Sequence, residues 1–321
     1  MRMIVGAYAI SPAATTWDKA AETALYDGLK TMRNVRGLEV PFTGTLHRHD
    51  ESWLFAAIDK SWDFVVTLIP GTMGALQQNP KFGLASADTA GRKAAIDFAR
   101  SAREAVGRLN QAAGRNAVIA VEVQSAPSLG KPGAASSVGA FAESLGEITC
   151  WDWQGARITI EHCDALKPTH PAAKGFLPLA GELEAIEKAN GSATKPIGVA
   201  INWGRSVLET RRAETGAEHV AEARKAGALS GIMFSGASGA ATPYGAWEDS
   251  HMPHAPAPGL THAAEGSLLT EAEIRRCFEA AAGPALDFVG AKISVRPADA
   301  PVSTRLGLIR DLVTLVGRNA A

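Results

Sequence analysis

Three glutamates near the polar ends of apolar runs are the residues of this chain best placed to do chemistry. Glu122 lies in Val118-Ile119-Ala120-Val121-Glu122-Val123-Gln124-Ser125, Glu161 in Arg157-Ile158-Thr159-Ile160-Glu161-His162-Cys163-Asp164, and Glu39 in Gly37-Leu38-Glu39-Val40-Pro41. A buried carboxylate is costly unless it meets a cation, a proton or a polar ligand. Side chains alternate along a strand. Glu122 and Gln124 therefore share the face of Ala120, Glu161 that of Thr159, and Asn202 that of Ala200 and Gly198. Lys292, Ser294 and Arg296 share one face, opposite Ile293 and Val295. If helices cover the apolar faces, all the polar residues meet inside.

On neighbouring strands about 4.8 Å apart, Glu122 and Glu161 have two uses. They could share a divalent metal (Mn, Zn, Co or Mg) through oxygen ligands, with Asp164 as a further ligand. They could instead form an acid/base pair whose pKa values are split by mutual repulsion. The competing reading is structural, with Lys292, Arg205 and Arg296 neutralising the carboxylates. His162 and Asp164 have the opposite parity to Glu161, so they join the same site only if the backbone turns after Glu161. Cys163 is expected in the core. In Asn202-Trp203-Gly204-Arg205, Trp203 offers a flat face for a sugar, and Arg205 can grip an acidic group bidentately. Trp247, His251, His254 and His262 fall in a Gly/Pro/His-rich stretch suited to a lid. Lys174 could bind a phosphate or carboxylate.

The elements that must position these groups alternate. Strands are expected near 3–10, 37–42, 63–69, 117–124, 157–162, 197–202, 230–235 and 291–296, separated by helices over Thr89–Ala113, Leu179–Ala189, Thr215–Ala226, Leu269–Ala281 and Thr304–Val316. Thr270 with Glu273 three residues on makes a capping box. Eight strand–helix units close into an α/β (β/α)8 TIM barrel, a single domain over 1–321, whose C-terminal strand ends carry the active site. Long loops follow strands 4, 5 and 7. An open doubly wound sheet is the alternative, but no GxGxxG or Walker glycine pattern follows a strand. The Gly236–Ala241 segment reads as a mobile loop before a phosphate cradle.

The chain has 321 residues, is 46% hydrophobic, and sets 32 basic against 33 acidic residues. Such a balance gives no case for nucleic acid or a membrane surface as partner, and no run reaches the length of a membrane span. Three cysteines without a CxxC pair suit a reducing, cytoplasmic setting better than a disulfide framework. The apolar N-terminus reads as a first strand rather than a signal sequence.

The strand-two segment Gly37–Pro41, with the Glu122 and Glu161 segments, resembles the xylose isomerase-like TIM barrels, a superfamily of sugar isomerases, epimerases and related metal-dependent enzymes. Within it the chain is similar to an uncharacterised bacterial family of unknown function. The resemblance implies acidic metal ligands at the ends of strands four and five, which Glu122 and Glu161 match. It also implies a His at strand six and a Glu at strand eight, where this chain has Asn202 and Ser294 or Arg296.

Three functions follow as expectations. The first is a sugar or sugar-acid isomerase/epimerase in carbohydrate metabolism. Glu122 and Glu161 would move protons, with or without a metal, and Glu39, Gln124, His162, Asn202, Trp203, Arg205, Lys292 and Arg296 would bind substrate. The second is a metal-free hydrolase or lyase using the same pair. The third is a non-catalytic barrel that binds a small metabolite. A homo-oligomer is compatible with each.

Overall fold

The computed structural model describes residues 1–12, 16–191, 195–282 and 286–320. Among these residues, eight parallel strands close into a barrel in chain order: β1 (Met3–Val5), β2 (Val35–Pro41), β3 (Asp63–Thr67), β4 (Val118–Val123), β5 (Arg157–His162), β6 (Gly198–Asn202), β7 (Leu229–Phe234) and β8 (Phe288–Ala291). The barrel shuts where Ile4 pairs with Gly290 and Val5 with Ala291. The outward strand residues, among them Leu38, Val66, Val121, Ile160 and Ile201, form one core with helix residues such as Leu109, Leu145 and Leu312. The inward residues Ile4, Val65, Ala120, Ala200, Met233 and Phe288 make a separate apolar plug inside the barrel. One step further toward the strand C-termini the inward positions turn polar, and there the site lies.

The helices start where the chain supplies caps. Asp18 accepts from Ala21 N at the head of α2 (Lys19–Lys30), and Asp88 from Gly91 N at the head of α5 (Thr89–Ala113), which ends at Gly114 with φ 73°. Thr270 accepts from Glu273 N at the head of α10 (Glu271–Ala281), as the capping box predicts. Around them stand α1 (Ala7–Ile10), α3 (Glu51–Ala57), α4 (Ile69–Gln78), α6 (Val138–Thr149), α7 (Leu179–Asn190), α8 (Trp203–Thr210), α9 (Thr215–Lys225) and α11 (Val302–Arg318). No helix among the described residues is long and apolar enough to cross a membrane.

Two strands differ from the expectation. The first stops at Val5 rather than running to residue 10, because its partner β8 ends opposite it at Ala291, and the chain turns into α1. The last covers Phe288–Ala291 rather than 291–296. Lys292 N still donates to Phe234 O (2.9 Å), but Ser294 N donates to His251 O (2.7 Å) in the loop after β7. Strand alternation is lost beyond that point.

Long connections follow β4, β5 and β7 (residues 124–137, 163–178 and 235–270). The first two join where Leu129 N donates to Gly175 O (2.7 Å). The third is stapled to itself by reciprocal bonds between Gly236 and Met252 (2.8 and 3.0 Å). The Gly236–Ala241 segment begins in this pairing, with Gly236 to Ser238 buried as a packed loop base and Gly239 to Ala241 exposed.

Candidate active site

Glu39 from β2, Glu122 from β4 and Glu161 from β5 converge inside the barrel, each with a ligand oxygen within 4.8 Å of the others. All three are buried. The register puts Glu122 opposite Thr159 and Glu161 opposite Ala200, so Glu161 stands nearer the barrel mouth.

Glu161 is the anion of the group. Its Oε1 lies 2.7 Å from an Arg205 guanidinium nitrogen and 3.2 Å from Lys292 Nζ, and accepts from Asn202 Nδ2 at 3.1 Å. Thr67 Oγ1 and Gln124 Nε2 stand 3.5 Å from Oε2, at the outer limit of hydrogen bonding. Burial opposes the charge, yet Arg205 and Lys292 hold the carboxyl well below the usual carboxylate range. Asn202 also acts through its other amide atom. As N-cap of α8 its Oδ1 accepts from Arg205 N (3.5 Å), which sets Arg205 on the first turn with its side chain turned into the barrel.

Glu122 is the opposite case. Among the described residues no N–H or O–H group donates to either of its oxygens. Burial, then the charges of Glu161 and Glu39, push its pKa well above the ordinary value, which favours the neutral carboxyl beside Glu39. Glu39 is itself raised by burial, with Lys292 pulling the other way at 2.6 Å from Oε1. Lys292 stays charged: burial works against its ammonium, but Glu161 and Glu39 more than compensate. A Cβ on Gly6 would lie 2.9 Å from Lys292 Cγ and 3.0 Å from Glu39 Oε2, so glycine is needed there. Tyr8 follows on α1, its ring centroid 5.8 Å from Lys292 Nζ.

The loop after β7 closes this site from above. Asp249 Oδ2 lies 3.2 Å from Arg205 Nε and 2.8 Å from Lys174 Nζ, and the two cations hold it well below the usual range against the cost of burial. His251 follows in a left-handed conformation (φ 52°), its Nδ1 2.7 Å from Ser235 Oγ. Burial lowers its pKa to about 3, so it is neutral. Lys174, which from the sequence could bind a phosphate or carboxylate, meets an anion of the protein itself. A hydrogen bond to a charged group contributes about 1.5–3 kcal/mol. Asp249→Asn should therefore raise amide exchange over residues 247–252 at least about tenfold. Hydrogen exchange by mass spectrometry checks this, and unchanged protection would show that Asp249 does not hold the loop.

Several expected contacts are not made. His162 points out of the barrel, as its parity requires, with Nδ1 2.7 Å from Glu182 on α7 and Nε2 3.2 Å from Glu209 on α8. Trp203 is fully buried in the outer core and offers no face to a sugar. Asp164 spends its carboxylate on the backbone N–H groups of Lys174 and Gly175, and does not belong to the carboxylate cluster. Arg296 is exposed, over the Tyr244 ring at 5.8 Å, because the strand that would have aimed it inward has ended. His254 is buried against Ala255 O, and His262 pairs with Asp311. Cys163 is a core residue, as expected. Gly6, Tyr8, Thr67 and Asp249 are the site residues that sequence reasoning did not single out. Asp249 is the sole aspartate of residues 235–270, the one signal that could have marked it.

The His162 network has a pH signature. Burial lowers its pKa, but Glu182 and Glu209 overcome this and raise it to about 10. A His raised above its unfolded value near 6.5 contributes stability that is complete below pH 6.5 and is lost as pH climbs toward 10. Melting temperature should therefore fall across that interval, and less steeply in His162→Gln. Parallel wild-type and variant profiles would rule the network out as the source.

The resemblance implies a divalent metal, and the residues present do not fit one. A metal would need Glu161 and Glu39 to turn toward it, but Arg205, Lys292 and Asn202 already take up those oxygens, and the ammonium of Lys292 stands among the carboxylates. Two further positive charges beside these cations would be strongly repelled. Where the resemblance implies a His at strand six and a Glu at strand eight, Asn202 ends β6, and Lys292, just past β8, rather than Ser294 or Arg296, reaches the carboxylates. Asp164 lies outside the carboxylate cluster, so Glu122, Glu161 and Asp164 do not come together as one ligand set.

The closed barrel of eight parallel strands is the (β/α)8 fold, here with carboxylates near the C-terminal strand ends. Its structural neighbours are sugar epimerases and isomerases: an L-ribulose 3-epimerase (TM-score 0.60, 12% identity, covering 100% of this chain and 95% of that one) and a D-psicose 3-epimerase solved with D-fructose (TM-score 0.54, 12% identity, covering 98% of each). A family 2 AP endonuclease of Brucella melitensis shares the fold (TM-score 0.56, 13% identity, covering 96% of each). The chain belongs to the family described as domain of unknown function DUF4862, which it matches over residues 4–308. An uncharacterized protein of Salmonella typhimurium strain LT2 is 36% identical over 315 residues, 98% of this chain and 96% of that protein.

Proposed function

We propose that this protein is an isomerase or epimerase acting on a small sugar or sugar acid, with Glu122 as the group that moves the proton. The observation carrying this reading is the isolation of Glu122. It is a buried carboxyl with no hydrogen-bond donor, aimed into the centre of the barrel, and held protonated beside an anion that cannot easily take a proton. A carboxyl tuned upward by its surroundings is suited to exchange a proton with a carbon next to a carbonyl. The carboxylates thus have different work: Glu161 fixes Arg205, Asn202 and Lys292 as an array for substrate oxygens, Glu39 receives the resting proton of Glu122, and the freed Glu122 carboxylate takes the proton from carbon and returns it to the neighbouring carbon or the opposite face. The structural neighbours support the substrate class.

The acid form of the substrate is favoured by Asp249. Its carboxylate sits between Arg205 and Lys174 as the carboxylate of a sugar acid would sit. Closure of the loop over the site also calls for opening before substrate enters. A panel of ketoses, aldoses and uronic acids, with products weighed by mass spectrometry, tests the reading. A product of unchanged mass is expected. Products of lower mass would support hydrolase or lyase chemistry instead, and stabilisation by a sugar acid without turnover would support a binding barrel.

A further inference from the structure

We propose that Lys292 takes the place of a divalent metal in this barrel: its ammonium is the resident cation of the Glu39–Glu122–Glu161 cluster and the charge that a substrate oxygen would meet. The carboxylates themselves have the layout of a metal cradle. They come from three different strands, are fully or almost fully buried, and bring one oxygen each within 4.8 Å of the others. Both Glu122 oxygens lack a donor although they are buried and aimed into the cluster, as ligand atoms without an ion would be.

What fills the cradle is a side chain. Lys292 Nζ reaches Glu39 at 2.6 Å and Glu161 at 3.2 Å, and its stem is wholly buried. The stem is seated against Gly6, where any larger residue would collide with it. An ammonium has three donors. Glu39 and Glu161 engage two of them, which leaves the third for a carbonyl or alkoxide oxygen. Charge makes the same point. Three ionised carboxylates against Arg205 alone would leave two negative charges, the amount one divalent ion neutralises. With Lys292 present and Glu122 protonated, Glu39 and Glu161 balance Lys292 and Arg205. The inference concerns the same site as the proposed reaction, but metal binding can be measured whether or not that reaction is right.

The experiment is a manganese titration of the full chain by calorimetry, with metal content by elemental analysis and melting temperature with and without EDTA. Wild-type protein should carry no stoichiometric metal, should not take up manganese at the site, and should melt at the same temperature in EDTA. Lys292→Met removes the ammonium with little change of shape, and should bind manganese at least about tenfold more tightly than wild type. That gain should vanish in Lys292→Met/Glu161→Gln. One equivalent of metal in the wild type, lost in Glu161→Gln, would overturn the proposal. So would a folded Lys292→Met that binds manganese no better than wild type. If Lys292→Met does not fold, the wild-type titration and its EDTA control still decide.

Discussion

Glu122→Gln should lower turnover by about 10²–10⁴-fold, the range typical of losing a general acid/base, while the protein folds as well as wild type. Glutamine matches the size of a protonated carboxyl and carries no charge, so it suits a site that keeps Glu122 neutral. Stability gives an independent check with a definite sign. A carboxyl whose folded pKa lies above its unfolded value binds more protons when folded. Its contribution is therefore most favourable below the unfolded pKa near 4.3, and is lost as pH rises toward the folded value. Relative to wild type, Glu122→Gln should gain stability over that rise. Denaturant midpoints across pH measure this. A variant that retained wild-type turnover would remove Glu122 from the chemistry, and an unchanged stability difference with pH would show that it titrates normally.

Arg205→Met should cost about 3–5 kcal/mol, the usual penalty for removing one partner of a buried ion pair. Arg205 is 2% exposed and answers two carboxylates, Glu161 at 2.7 Å and Asp249 at 3.2 Å. Without it, Glu161 keeps Lys292 and Asn202, and Asp249 keeps Lys174, so the network is weakened rather than abolished. A drop in the urea midpoint at pH 7 is the readout. A double variant, Arg205→Met/Asp249→Asn, should recover part of the loss because it removes one of the orphaned charges. A loss below about 1 kcal/mol, the scale of an exposed ion pair, would mean that solvent reaches this network.

The site was legible from sequence wherever it stands on strands. The two-residue period placed Glu39, Glu122, Glu161 and Asn202 on the inner face and turned His162 outward, and Gln124 and Lys292 keep the inward direction just past the ends of β4 and β8. It failed where the strand stops. Arg296 follows the alternation on paper, yet β8 ends at Ala291, and what continues is a loop pinned by the connection after β7. Arg205 reaches the barrel interior for a reason the sequence does not display, since α8 begins at Trp203 and Asn202 caps it. Trp203, as first residue of that helix, is carried into the outer core. Asp249 was invisible because a loop has no period, and its partners Arg205 and Lys174 are brought to it only by tertiary structure. The metal pattern shows the same limit. Spacing on strands four and five allowed an ion or an acid/base pair, and the ammonium that stands beside Glu161 lies 131 residues away from it along the chain.

The most direct test of the central claim is turnover of the sugar and sugar-acid panel in heavy water, read by mass spectrometry for wild type and Glu122→Gln. Wild-type protein should return isomers or epimers carrying deuterium at the carbon beside the carbonyl, and Glu122→Gln should return unlabelled starting sugar. Fragments of lower mass, or equal labelling by both proteins, would contradict proton transfer by Glu122.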